Sequence, residues 1–182
     1  MARHYNKLAW GLLLTILDFR IQSIDLLADF IGYFMAAAAL SALEEEKHND
    51  FRTAKCIAIF LIFVSAPSVY IPARPGVVIS VEPGFMMLLS VLEGLLKLFL
   101  VFFICRGIGT LAKFAGNGSL RESAKLRWRF YLAVCGLMLF AIPFSMNFES
   151  EWYALYILLI VLSVIVELTI FALVRKAGKE LA

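Results

Sequence analysis

The chain alternates between apolar stretches and short polar connections. Six apolar segments can be marked, at residues 8–24, 26–43, 54–71, 85–104, 130–146 and 152–174. A bilayer core about 30 Å thick is crossed by about 20 apolar residues of α-helix. The pattern therefore predicts an all-α fold, a polytopic bundle of about six transmembrane helices that forms one integral membrane domain over residues 1–182.

The first segment leaves the number of spans open. Its strongly apolar part, residues 8–17, is short and is followed by Asp18 and Arg20. If the helix continues to about residue 24 it crosses the bilayer, and if it lies in the interface five spans remain. The stretch is similar to the start of a signal peptide, but no small-x-small cleavage site follows, so we expect it to be retained.

The distribution of lysine and arginine predicts the orientation. Basic residues concentrate in the second and fourth connections and in the C-terminal tail, whereas the third connection carries only Arg74 and the fifth none. The positive-inside rule therefore places the basic connections and the C-terminus in the cytoplasm of a bacterium. Six spans put the N-terminus in the cytoplasm as well, and five spans put it outside.

The fourth connection predicts a helical hairpin with a basic elbow. Gly116-Asn117-Gly118 is a turn signal, and Ser119 with Glu122 fits a capping box that opens the next helix. The preceding helix is expected to continue towards Phe114. We expect five basic side chains here to contact anionic lipid headgroups: Lys113, Arg121, Lys125, Arg127 and Arg129.

Composition agrees with a membrane location. The chain is 62% hydrophobic and 17% charged, with a mean hydropathy of +0.87, against about 45–50% and 25% in soluble domains. The net charge of +3 comes from basic residues beside the apolar segments. Nucleic acid is therefore not an expected partner, and the lipid bilayer is.

Charged residues inside the apolar segments are the first candidate site. Glu93 and Lys97 are four residues apart and share a helix face, which Ser90 extends towards the bundle interior. Glu167 lies at a similar depth in the sixth segment, so we predict a contact between Lys97 and Glu167, with Glu93 competing for the ammonium. Two roles remain open, an ion pair that fixes helix register and the protonatable centre of a transporter.

A second candidate site is acidic and lies on the predicted outer side. Its residues are Asp18, Arg20, Asp25 and Asp29. A break in the helix is expected near residues 22–25, where Asp25 is free to cap the second helix. The cluster is interpreted either as a vestibule that attracts cations or, more plainly, as a capped turn in which Arg20 neutralises an aspartate.

Other chemistries find no support in the sequence. The three cysteines have no CxxC spacing and only two histidines accompany them, so no metal and no cofactor is expected. The G-x-G-x-x-A match at residues 107–112 follows an apolar helix rather than a strand, which removes the dinucleotide interpretation. Neither HExxH nor GxSxG occurs, and we do not expect an enzyme.

A segment near the N-terminus resembles a set of small polytopic membrane proteins of Gram-positive bacteria that has no established activity. The resemblance rests on an Asp-Phe-x-Ile…Asp-(Leu/Ile)-x-x-Asp-Phe-Ile-Gly-Tyr pattern, matched here by Asp18, Phe19, Ile21, Asp25, Leu26, Asp29, Phe30, Ile31, Gly32 and Tyr33. Many members have proline where this chain has Ala28. In size and number of segments the chain is also similar to the substrate-binding subunits of energy-coupling vitamin transporters. Both resemblances imply location and architecture and transfer no site.

Two functions are therefore predicted as alternatives. The first is a non-enzymatic accessory protein that binds a membrane-protein partner, or a second copy, through the small-residue face at residues 36–42 and the basic connections. The second is a small proton- or cation-linked transporter that uses Glu93, Lys97, Glu167 and Asp29. A hydrated cavity lined by these four residues favours transport, and a dry, paired cluster favours the accessory role.

Overall fold

The computed structural model describes residues 1–16, 20–21, 24–25, 29–44, 49–66, 84–141 and 153–181. It contains six helices and one pair of two-residue strands: α1 (Ala2–Leu14), β1 (Arg20–Ile21), β2 (Ile24–Asp25), α2 (Asp29–Glu44), α3 (Asn49–Ser65), α4 (Phe85–Phe114), α5 (Gly118–Ala141) and α6 (Tyr153–Glu180). The two strands are antiparallel, with Arg20 opposite Asp25. The predicted all-helical fold with six helices is confirmed.

The helices form a closed ring. Each packs against its neighbours in sequence, and α1 closes the ring against α6. We call the end that holds the α4–α5 turn the elbow end. The core lies towards it, because the fully buried side chains of α4 all fall between Leu98 and Ala112 and most of those of α6 between Val166 and Ala177.

The turn between α4 and α5 is built by local hydrogen bonds around Asn117. Gly116 has a positive φ of 70°, and the backbone N–H of Asn117 donates to the carbonyl of Ala112 at 2.8 Å, which ends α4 in a Schellman motif. The Asn117 side chain then accepts the N–H of Leu120 at 3.0 Å and caps α5. The predicted hairpin is confirmed, but the predicted capping box at Ser119 is wrong because α5 begins before it.

Small residues let α1 and α2 approach closely. A Cβ on Gly11 would lie 2.8 Å from the backbone nitrogen of Ala36, and one on Gly32 would lie 2.8 Å from the carbonyl oxygen of Gly11. Ala36 and Ala39 are fully buried. The predicted close approach is confirmed, and much of this face is covered within the chain, which leaves its exposed side, at Ser41, for a separate partner.

Several predicted boundaries need correction. Helix α1 ends at Leu14, far short of residue 24, because the chain turns there and enters the strand pair. Helix α2 is described from Asp29 and Asp25 lies in β2, and the predicted cap by Asp25 is not tested because residues 26–28 lie outside the described residues. The predicted extension of the fourth helix to Phe114 and the unbroken fifth helix are confirmed. Residues 17–19, 22–23, 26–28, 67–71, 142–146 and 152 of the predicted segments lie outside the described residues.

Two helices in the described ranges combine the length and apolarity needed to cross a bilayer. They are Met87–Phe114, with 28 residues, and Ala154–Glu180, with 27 residues, and their most apolar 18-residue parts have mean hydropathies of 2.3 and 3.0. Only 22% and 28% of their most apolar parts is buried within the protein. Most of their apolar surface therefore faces the surroundings, unlike that of a core helix in a soluble domain.

Candidate functional site

An ion pair inside the ring joins three helices. Lys97 Nζ of α4 lies 2.8 Å from Glu167 Oε1 of α6, and the same ammonium donates to the backbone carbonyl of Thr15, just after α1, at 3.3 Å. The two charged side chains are 19% and 16% exposed. The contact predicted between Lys97 and Glu167 is thus present.

The hydrogen-bond partner of Glu93 is Tyr33 of α2, whereas the sequence predicted that Glu93 competes for the ammonium of Lys97. The Tyr33 hydroxyl of α2 donates to Glu93 Oε1 at 3.3 Å, and Tyr33 is only 1% exposed. Glu93 still interacts with the charge of Lys97 along their shared helix face. The closest contact of the ammonium, however, is with Glu167.

Asp29 belongs to this interior arrangement. It begins α2, four residues before Tyr33 and on the same face, and its charge acts on both Tyr33 and Lys97. The rest of the predicted outer acidic cluster is not tested. Asp18 lies outside the described residues, and for Arg20 and Asp25 the structure gives only the backbone pairing.

Sequence reasoning did not include four further members of the site. Tyr131 of α5 is 2% exposed and is hydrogen-bonded to Cys135, four residues later. Thr15 supplies its carbonyl and Tyr33 its hydroxyl. Polar residues that recur at four-residue spacing, such as Asp29 and Tyr33, share a helix face, and this spacing could have identified Tyr33 from the sequence. We define the internal cluster as Thr15, Asp29, Tyr33, Glu93, Lys97, Tyr131, Cys135 and Glu167.

Ser90 does not join the internal cluster. It is exposed on α4, so the prediction that it points into the bundle is wrong. Ser90 lies one turn before Glu93, and the buried residues among the described side chains of α4 begin further along the helix, at Leu98.

The internal cluster is tightly filled. The cavity beside Lys97 and Glu167 offers about 10 Å³ for the centre of a water-sized sphere, which is room for about one water. The charged groups whose contacts are described are two carboxylates, those of Glu93 and Glu167, and one ammonium, that of Lys97. The arrangement can hold helices in register, and its excess of carboxylates can accept a proton or a small cation.

The basic residues of the elbow separate into two groups. A groove of about 400 Å³ runs between α4 and α5, lined by Phe102, Cys105, Arg106, Gly109, Thr110, Lys113, Arg121, Ala124, Lys125 and Trp128. Lys113, Arg121 and Lys125 were predicted as anionic-lipid contacts and share this groove, while Arg106 was missed. We call it the elbow groove.

Two of the predicted lipid contacts lie elsewhere. Arg127 Nη1 donates to the backbone carbonyl of Thr169 in α6 at 2.7 Å, so its guanidinium joins two helices. Arg129 is exposed but does not line the elbow groove. Rotation about the α5 axis explains the difference, since residues 121, 124, 125 and 128 share one helix face and 127 does not.

The electrostatics at the elbow are those of a solvated surface. Lys125 Nζ lies 2.8 Å from Glu122 Oε1 one turn earlier, and this hydrogen bond and charge hold the pKa of the fully exposed Glu122 carboxyl below its usual value. Asn117 Nδ2 donates to Glu180 Oε2 at 2.7 Å and ties the turn to α6. These contacts position the elbow groove at the end of the ring where α1 starts and α6 ends.

Comparison with protein-family models, with curated proteins and with solved structures finds no match to this chain. The resemblance at residues 18–33 therefore stays a prediction.

Proposed function

We propose that the chain is a polytopic protein of the bacterial cytoplasmic membrane that works as a non-enzymatic accessory protein. The observation that supports a membrane location is the exposed apolar surface of α4 and α6. On α6 alone, nine large apolar side chains are exposed: Leu155, Ile157, Leu158, Ile160, Val161, Leu162, Val164, Ile165 and Leu168. So continuous an apolar surface is unfavourable in water and favourable in hydrocarbon.

The ring arrangement supports six helices with both termini in the cytoplasm. Tyr5 of α1 packs against Gly178 of α6, so both termini lie at the elbow end, beside the basic residues that favour the cytoplasm. Helix α1 is a member of the ring and, with 13 residues, is about 20 Å long. It reaches about two thirds of the way through a bilayer core of about 30 Å.

The accessory role is supported by the internal cluster. Lys97 has two partners and Glu93 has one, and the adjoining cavity holds about one water. A mostly buried charge with partners on neighbouring parts of the chain fixes helix positions, which is the role that an accessory protein needs from it. Partner binding then falls to exposed surfaces and to lipid contacts at the elbow end.

A transporter is the second candidate, and one observation favours it. Two carboxylates, those of Glu93 and Glu167, accompany the single ammonium of Lys97 in the described part of the internal cluster. Because unbalanced charge is costly in hydrocarbon, such a cluster favours uptake of a proton or cation. If the cluster takes up this proton or cation from one side of the membrane and releases it to the other, the movement of the ion can drive transport of a solute.

Flux in proteoliposomes distinguishes the two functions. Proton and cation flux is measured for the wild type, Glu167→Gln and Glu93→Gln, with Glu122→Gln as an exposed control and thermal stability recorded for all four. The accessory role predicts no flux in any of them and lower stability for the two interior variants. Flux in the wild type that is lost in either interior variant, with the fold retained, would establish the transporter instead.

A further inference from the structure

The elbow groove has an apolar half and a cationic half. At its deeper end the rings of Phe102 on α4 and Trp128 on α5 lie 5.0 Å apart between centroids. Lys113 and Arg121 line its opposite end, beside the turn. Along α4 the distance from residue 102 to residue 113 is about 16 Å at 1.5 Å per residue. The groove thus changes from aromatic to cationic along the direction that is the bilayer normal in the proposed orientation.

The cations of the elbow groove exceed the acids that neutralise them. Arg106 Nε lies 3.3 Å from Asp50 Oδ1, and Lys125 is paired with Glu122. Lys113 and Arg121 form no ion pair with any residue in the described ranges. Two positive charges are therefore left for a ligand, next to two that are only partly neutralised.

We propose that the elbow groove is a specific binding site for an anionic glycerophospholipid, with its phosphate at Lys113 and Arg121 and an acyl chain along Phe102 and Trp128. The groove volume of about 400 Å³ is in the range of small-molecule sites, about 300–1,000 Å³. A free phosphate would use the cations but leave the aromatic half empty, whereas a lipid fills both halves. The proposal rests on the membrane location proposed above and adds a defined lipid partner to it.

Trp128 lines the elbow groove, so quenching of its fluorescence measures which lipid binds there. A variant with Trp10→Phe and Trp152→Phe keeps Trp128 as its single tryptophan. It is reconstituted in phosphatidylcholine vesicles that contain a small fraction of either brominated phosphatidylglycerol or brominated phosphatidylcholine. We expect the brominated anionic lipid to quench Trp128 more strongly at equal mole fraction, and unlabelled phosphatidylglycerol, but not inorganic phosphate, to reverse the excess quenching.

Substitution of Lys113 and Arg121 tests whether these two side chains bind the lipid phosphate. Lys113→Gln with Arg121→Gln is expected to lower the preference for the anionic lipid about fivefold for each charge removed, since a basic residue near the surface contributes about 1 kcal/mol. The matched control is Arg129→Gln with Lys179→Gln, which removes the same charge from exposed positions outside the groove. The control is expected to keep most of the preference.

The outcomes separate this proposal from the proposed function. If the protein floats with the vesicles and resists alkaline extraction, yet both brominated lipids quench equally, the lipid site is overturned and the membrane location stands. Equal losses in the groove variant and the control also overturn it, as does reversal by inorganic phosphate. A protein that does not float with the vesicles would overturn the membrane location itself.

Discussion

Helix α4 carries two lysines in opposite situations. Lys97 is 19% exposed and is held by Glu167 and the Thr15 carbonyl, whereas Lys113 is exposed in the elbow groove. Sixteen residues of helix, about 24 Å, separate them. In a bilayer this distance takes a side chain from hydrocarbon to the headgroups, and the partners of the two lysines change accordingly.

The comparison shows how surroundings decide what a charge needs. An ammonium removed from water and left unpaired costs several kcal/mol, so Lys97 requires protein partners on two other elements of the ring. An ammonium at the surface stays solvated and gains about 0–1 kcal/mol from any single pair. The internal cluster therefore contributes to the helix arrangement, and the elbow groove keeps its charge available for a ligand.

The largest effect is expected from Lys97→Met. It leaves Glu167 charged without its closest partner, which should reduce the free energy of unfolding by about 3–5 kcal/mol. The double variant Lys97→Met with Glu167→Met should recover much of this loss, because Glu167 no longer leaves a charge without its closest partner. Thermal unfolding in detergent measures both, and an equally large loss in the double variant would contradict the pairing.

Gly32→Ala should have the next largest effect. The added Cβ would lie 2.5 Å from Thr15 Cγ2 and 2.8 Å from the Gly11 carbonyl oxygen, so α1 must move and carry the Thr15 carbonyl away from Lys97. A loss of about 1–3 kcal/mol in unfolding free energy is expected for such overpacking.

Gly109→Ala is the matched control for that substitution. It lies in α4 with no atom near an added Cβ, and alanine favours a helix over glycine by about 1 kcal/mol. Neutral or increased stability is expected there. If Gly32→Ala were equally well tolerated, α1 and α2 would not be in close contact.

Asn117→Ala is expected to reduce the free energy of unfolding by about 1 kcal/mol. It removes the cap of α5 and the hydrogen bond to Glu180, and loss of such a cap costs about 0.5–2 kcal/mol. Ser119→Ala, at the position that the capping-box pattern indicates, should change stability less. A chemical denaturation series with both variants decides which residue caps the helix.

The smallest effect is expected from Lys113→Met. An exposed residue without an ion pair in the described ranges should change unfolding free energy by no more than about 0.5 kcal/mol. Measured beside Lys97→Met in the same detergent, it sharpens the contrast between the two lysines. A loss at Lys113 as large as that at Lys97 would mean that the elbow groove also holds the fold together.

Local pattern was enough for much of the architecture. Runs of apolar residues mark six helices, and the glycines around Asn117 mark the α4–α5 turn. The pairing of Lys97 with Glu167 followed from equal depth in two segments, because helix geometry fixes height along the axis at 1.5 Å per residue. These features depend on spacing along one chain, which a sequence displays directly.

Rotation and partner choice were decided by packing. Depth does not say which way a helix faces or which neighbour it meets, so the Arg127 bond to Thr169 was not foreseen and Tyr33 was missed as the partner of Glu93. Sequence determined which helices exist and how deep their charges lie, and the close approach of six helices in a ring determined which charges meet.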